Sequence, residues 1–199
     1  MMKLYHSARS RSVRIYWLLE ELGVPYELET IKFVPPPRPF SQTTPTGKVP
    51  TLEDGEVTMF ESGAIVEYVL DRHGNGRMAP APGTAQRAAY LQWIHFAEAT
   101  AFMPIGNIAF HTVFKRDAEQ IPDVIADYRK WAAAAFEVIE RAVTGKDYLL
   151  GAELSGADVM MGYTLLCAKW FGLLGDAYPN LTAYLARLES RPALQKALA

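Results

Sequence analysis

The sequence predicts a small mixed α/β domain over residues 1–75, a linker over 76–83, and an all-helical domain over 84–199. Three observations carry this. The first third alternates short strand-like runs with helical ones. Gly74-Asn-Gly-Arg-Met-Ala-Pro-Ala-Pro-Gly then has the composition of a connector. Beyond it, stretches rich in Ala and Leu carry aromatics at helical spacing, with no strand signal of comparable strength.

Lys3-Leu-Tyr is a short strand. Val13 to Leu22 is a helix, because Val13, Tyr16, Trp17 and Leu18 fall on one apolar stripe and Gly23 supplies a stop. Tyr26 to Phe33 alternates, with Tyr26, Leu28 and Thr30 on one face. Val34-Pro-Pro-Pro-Arg-Pro interrupts the chain. Val49–Leu52 and Val57–Phe60 are strands joined by a hairpin signal built on Asp54-Gly55. Ser62 to His73 is a helix that stops at Gly74. The order is β-α-β, a loop, then β-β-α. The first two strands lie parallel through a right-handed crossover, and the last two are antiparallel. In the second half, Thr84–Thr100, Val124–Val143, Asp158–Leu174 and Leu181–Leu198 read as helices. Ser155-Gly-Ala-Asp158 has capping-box spacing. Phe102, Met103, Ile108, Phe110, His111 and Phe114 surround Pro104 and Gly106, and a break there would open a hydrophobic cleft.

The 199 residues are 50% hydrophobic and 21% charged, with a net charge of −2. Such a balance gives no reason to expect nucleic acid or an anionic membrane as a partner. Cys167 is the single cysteine, which excludes an internal disulfide and a dithiol redox motif. The four histidines show no metal-ligand spacing, so no metal is expected. The N-terminus lacks a signal-peptide apolar core and no run is long enough to span a bilayer, so a cytoplasmic protein is expected.

Pro50 heads a strand although proline cannot donate to a ladder, and the following strand ends on Glu61-Ser62. Together with Lys3-Leu-Tyr, Ser10-Arg-Ser-Val-Arg-Ile-Tyr-Trp-Leu-Leu-Glu-Glu-Leu-Gly, Gly47-Lys-Val-Pro-Thr-Leu and Ser155-Gly-Ala-Asp158, these motifs resemble the cytosolic glutathione transferases along essentially the whole chain. The resemblance implies a thioredoxin-like N-terminal domain, an all-α C-terminal domain with a hydrophobic substrate pocket, glutathione as co-substrate, and a homodimer. It further implies a cis Val49-Pro50 bond that turns the Val49 backbone toward the glutathione peptide, as an added strand would pair. Ser62 at a helix start suits the γ-glutamyl carboxylate, and Glu61 its ammonium group. Lys48 is a candidate partner for the glycyl carboxylate.

The chemistry needs a thiolate near neutral pH, whereas an unperturbed thiol has a pKa of about 8.5. A hydroxyl donor between the first strand and first helix would stabilise the anion. Tyr5, Ser7, Ser10 and Ser12 stand there. Serine-type relatives carry Ser-Arg before the apolar helix with an arginine further on, which matches Ser10, Arg11 and Arg14; Ser10 is the expected catalytic hydroxyl. Tyrosine-type relatives use the position of Tyr5, which stays open as the alternative, and Ser12 is read as a cap of the first helix. Arg11 would assist electrostatically or contact the ligand. Met59-Phe60 and Glu98 are expected near the dimer contact. The expected reaction is attack of the thiolate on a small hydrophobic electrophile. Glutathione-dependent peroxide reduction and a non-catalytic binding scaffold are the alternatives.

Overall fold

The computed structural model describes residues 1–32, 44–115 and 120–199. Phe33 and the Val34–Pro39 break lie outside the described residues. The chain groups into two compact units, 1–81 with 189–199, and 82–188.

The first unit is built on strands β1 (Met2–His6), β2 (Tyr26–Thr30), β3 (Thr51–Asp54) and β4 (Val57–Phe60), with helices α1 (Ser12–Leu22) and α2 (Ser62–His73). The sheet order is β2-β1-β3-β4. β1 and β2 are parallel, and β3 is antiparallel to both β1 and β4. This is the topology expected from the β-α-β, β-β-α order. β3 starts at Thr51 rather than Val49, which leaves Pro50 outside the ladder. The hairpin loop is Gly55-Glu56, and Gly55 adopts φ +64°.

Helix ends follow local chemistry. α1 ends at Gly23, whose φ of +66° lets its N–H reach the carbonyls of Leu19 and Glu20. Gly74 ends α2 for another reason. Its φ is right-handed, but a Cβ there would sit 2.4 Å from the Leu70 carbonyl oxygen. Arg77, in the stretch read as linker, donates to the Leu22 carbonyl at 2.8 Å and so caps the C-terminus of α1. Leu4, Leu52, Val13, Trp17, Leu18, Ile65, Val66 and Val69 are fully buried.

The second unit contains α3 (Ala85–His95), a π-helical run Phe96–Phe102, α4 (Met103–Ala109), a second π run Phe110–Phe114, α5 (Pro122–Val143), α6 (Gly156–Trp170) and α7 (Pro179–Glu189). The break expected at Pro104 and Gly106 does not occur: the backbone stays helical from Ala85 to Phe114. Proline inside an α-helix removes a hydrogen bond and crowds the preceding turn. Here Pro104 is the second residue of α4, one residue after seven residues of the wider π spiral, which accommodates the mismatch without breaking the rod. Thr164 donates to the Ala97 carbonyl within that run at 3.0 Å.

α6 is buried continuously from Gly156 to Ala168. Its capping box forms: the Ser155 N–H donates to Asp158 Oδ2 at 2.8 Å. Asp158 also accepts from the Ser155 hydroxyl, the Leu149 N–H and the Tyr184 hydroxyl. Burial pushes its carboxyl above the ordinary range, against the pull of these donors.

The helix expected over Leu181–Leu198 is two helices. Pro192 disfavours helical geometry at Arg191, which adopts ψ +126°, and α8 (Pro192–Leu198) starts anew. Residues 189–199 group with the first unit, where the sequence reading put them in the helical domain. Arg191 is bound through Nε and Nη2 to both oxygens of Glu21 on α1, at 2.5 and 2.7 Å, and Lys196 pairs with Glu20 at 2.9 Å. Glu20 also accepts from the Tyr26 hydroxyl.

Candidate active site

Sheet register brings three loops together. Thr51, the first residue of β3, pairs with Tyr5 near the end of β1 and with Phe60 at the end of β4. The loop after β1, the Lys48–Pro50 segment before β3 and the Glu61-Ser62 junction after β4 therefore leave the sheet at one end. α1 and α2 both begin there; the first N–H groups of α1 are taken up by Ser10 and Arg11, at Ser10 Oγ and the Ser10 and Arg11 carbonyls, so the start of α2 is the helix N-terminus that offers N–H groups.

The loop after β1 turns through Arg9, at φ +56°. Its hydroxyls form a chain. Ser10 Oγ lies 2.8 Å from the Ser7 carbonyl and 2.7 Å from Ser12 Oγ. Ser12 Oγ accepts the Ser7 N–H at 3.0 Å and lies 2.9 Å from His6 Nδ1. The Ser12 N–H donates to Ser10 Oγ at 3.2 Å. Ser12, His6 and Ser7 are buried, whereas Ser10 and Arg11 are half-exposed. Burial lowers the His6 pKa, with the Ser12 hydrogen bond opposing it.

The Val49-Pro50 peptide is cis. Pro50 is buried, Val49 is half-exposed and Lys48 is exposed. Val49 lies outside every ladder, and among the described residues neither its N–H nor its C=O has a hydrogen-bond partner. An extended peptide finds an open edge there.

Glu61 is exposed and takes φ +71°, ψ +108°, a conformation that L side chains rarely adopt. Its carbonyl accepts the first helical bond, from Ile65, at 2.9 Å. No side chain caps α2, so the N–H groups of Ser62, Gly63 and Ala64 lie ahead of the helical ladder. Ser62 is buried and accepts from Arg14 Nη1 at 2.9 Å. Arg14 is fully buried, so a guanidinium on α1 is tied to the first residue of α2.

Tyr5 stands apart from these groups. Alternation along β1 sends its side chain to the sheet face opposite Leu4 and His6. Its hydroxyl donates to Glu53 Oε1 at 2.9 Å, its ring lies 5.1 Å from Lys3 Nζ, and burial raises its pKa. In the second unit, Met103, Phe110, Val113 and Phe114 are exposed large apolar side chains, and Phe102 and Ile108 are buried. His111 packs edge-on to Phe110, and its Nδ1 is buried with no partner among the described residues. Among the described residues no three His, Cys, Asp or Glu side chains gather as a metal site would require.

Three site residues escaped the sequence reading in their structural roles: Arg14 as a buried anchor of Ser62, Ser12 as the centre of the hydroxyl chain, and His6 behind it. Arginine and histidine at such positions read as exposed or incidental from sequence, because charged side chains are rarely buried.

A model of the glutathione S-transferase N-terminal domain matches residues 4–77, and one of the C-terminal domain matches 103–199. Glutathione S-transferase 1 of Zea mays is 30% identical, over 100% of this chain and 96% of its own. A glutathione S-transferase structure from Actinobacillus pleuropneumoniae superposes with a TM-score of 0.85 at 28% identity, covering 99% of this chain and 91% of that one. A sphingomonad glutathione S-transferase solved in complex with glutathione superposes with a TM-score of 0.81 at 25% identity, covering 98% and 96%. With both domain models matched and full-length relatives at this identity, the chain belongs to the glutathione S-transferase family.

Proposed function

We propose that the first unit binds glutathione at the end of the sheet defined by Tyr5, Thr51 and Phe60, and that Ser10 stabilises the thiolate for attack on a small hydrophobic electrophile. The observation that carries this reading is the convergence there of an open peptide edge, an uncapped helix start and a half-exposed hydroxyl. The Val49 N–H and C=O pair with the glutathione peptide. The γ-glutamyl carboxylate takes the α2 N–H groups and the Ser62 hydroxyl, while Glu61 faces the ammonium group. Lys48 meets the glycyl carboxylate. Arg11 adds positive potential beside the sulfur.

Ser10 is favoured over Tyr5 because the Tyr5 hydroxyl is committed to Glu53 on the other face of the sheet. A cytoplasmic homodimer remains part of the proposal, with Phe60, 42% exposed, as an apolar contact residue.

Retention on immobilised glutathione and release by the free tripeptide test the binding reading. A protein that flows through the column refutes it. Ser10→Ala is expected to lower turnover with glutathione affinity nearly unchanged. If Tyr5→Phe does so instead, the assignment of Ser10 is wrong.

A further inference from the structure

We infer that His6 is a positioning residue for thiolate stabilisation: acting through Ser12, it sets the direction in which the hydroxyl chain donates, so that Ser10 O–H points at the sulfur. This inference rests on the glutathione reading above.

Ser12 Oγ has one hydrogen and three neighbours that can receive it: His6 Nδ1 at 2.9 Å, Ser10 Oγ at 2.7 Å and the Ser7 carbonyl at 3.2 Å. It already accepts the Ser7 N–H. If Nδ1 of His6 is bare, Ser12 donates inward to it. Ser10 then has two inward acceptors for its hydrogen, Ser12 Oγ and the Ser7 carbonyl, and both compete with the sulfur. If Nδ1 carries the proton, it donates to Ser12 Oγ. Ser12 then donates to Ser10 Oγ, which also accepts the Ser12 N–H at 3.2 Å. Ser10 is then saturated as an acceptor and Ser12 no longer accepts from it, so its own hydrogen has only the Ser7 carbonyl at 2.8 Å and the sulfur to choose between.

The outward order is His6 Nδ1–H to Ser12, Ser12 O–H to Ser10, and Ser10 O–H to thiolate. Each bond in such a series polarises the next. A bound thiolate interacts more favourably with this order, in which Ser10 ends a polarised series and Ser12 no longer competes for its hydrogen, and therefore selects it together with the Nδ1–H tautomer of His6. The thiol proton leaves to solvent when glutathione ionises; no group in the chain gains or loses one. His6 and Ser12 are buried, so water does not compete for the inner links. The T-shaped contact of His6 with Tyr16, at 5.2 Å between ring centroids, holds the imidazole plane.

The test reads the pKa of the bound glutathione thiol, from thiolate ultraviolet absorbance, in variants of His6 and Ser12. His6→Asn places an amide donor near the Nδ1 position and should keep the thiol close to wild type. His6→Phe should reduce the thiolate fraction at a pH below the midpoint about two- to tenfold, the range of one net hydrogen bond, with glutathione affinity altered less than twofold. In a Ser12→Ala background, His6→Phe should add nothing, since the link is already cut. Additive effects of the two substitutions, or equal loss in His6→Asn and His6→Phe, would overturn the inference. Should His6→Phe fail to fold, nitrogen-15 NMR of the wild-type imidazole with glutathione bound decides: a protonated Nδ1 is expected, and a bare Nδ1 overturns the inference. Failure of the underlying reading looks different, because glutathione would then not bind or Ser10→Ala would leave the thiol pKa unchanged.

Discussion

Ser62→Ala probes the buried tie between the two helix starts. In the wild type, Arg14 is fully buried and its Nη1 donates to Ser62 Oγ at 2.9 Å. Removing the hydroxyl strips a charged donor of that acceptor in a place water does not reach. A hydrogen bond to a charged group contributes about 1.5–3 kcal/mol. For a chain of this size each kcal/mol moves the thermal midpoint about 2–4 °C. The midpoint should therefore fall by about 6 °C, within a span of about 3–12 °C. The same hydroxyl is proposed to meet the γ-glutamyl carboxylate, so glutathione affinity measured by calorimetry should weaken about tenfold, or about 1.4 kcal/mol. An unchanged midpoint together with unchanged affinity in Ser62→Ala would mean that the hydroxyl neither anchors Arg14 nor meets the ligand.

Glu61→Gly should raise stability by about 1 kcal/mol, since the left-handed backbone at φ +71° is free for glycine, while glutathione affinity falls through loss of the ammonium partner; denaturant titration and calorimetry read the two effects. Asp158→Asn presents an amide to donors that the carboxylate accepts, so chemical denaturation should show a loss of about 3 kcal/mol. Burial lowers the His6 pKa below its unfolded value of about 6.5. Its neutral form thus contributes stability above that pH, and this is lost as pH falls from about 6.5 through the folded pKa. Midpoints recorded from neutral to mildly acidic pH should decline, and His6→Asn should remove part of the decline.

Some elements are legible in the sequence because their causes are local. α1 and α2 carry apolar stripes and glycine stops, and the observed ranges agree within a residue at the start of α1. The sheet order follows from the element order and the handedness of the crossover. Pro104 misleads because a proline signals a break only when the surrounding helix is α-helical; the π run ahead of it depends on tertiary packing that no local pattern encodes. Pro192 carried the right signal, but the apolar period of Leu181–Leu198 concealed it.

The candidate site divides the same way. Val49-Pro50 and Glu61-Ser62 stand out as local departures from strand chemistry. The partnership of Arg14 with Ser62 spans 48 residues and exists only once both helices start at one end of the sheet. The chain from His6 to Ser12 to Ser10 likewise needs the turn at Arg9 to fold the loop back on the end of β1.

The thiol pKa of bound glutathione tests the central claim most directly. Titrated by thiolate ultraviolet absorbance, it should lie at least one unit below the free value of about 8.5 in the wild type. It should return toward that value in Ser10→Ala and stay low in Tyr5→Phe. A bound thiol that titrates no lower than free glutathione would contradict thiolate stabilisation at this site.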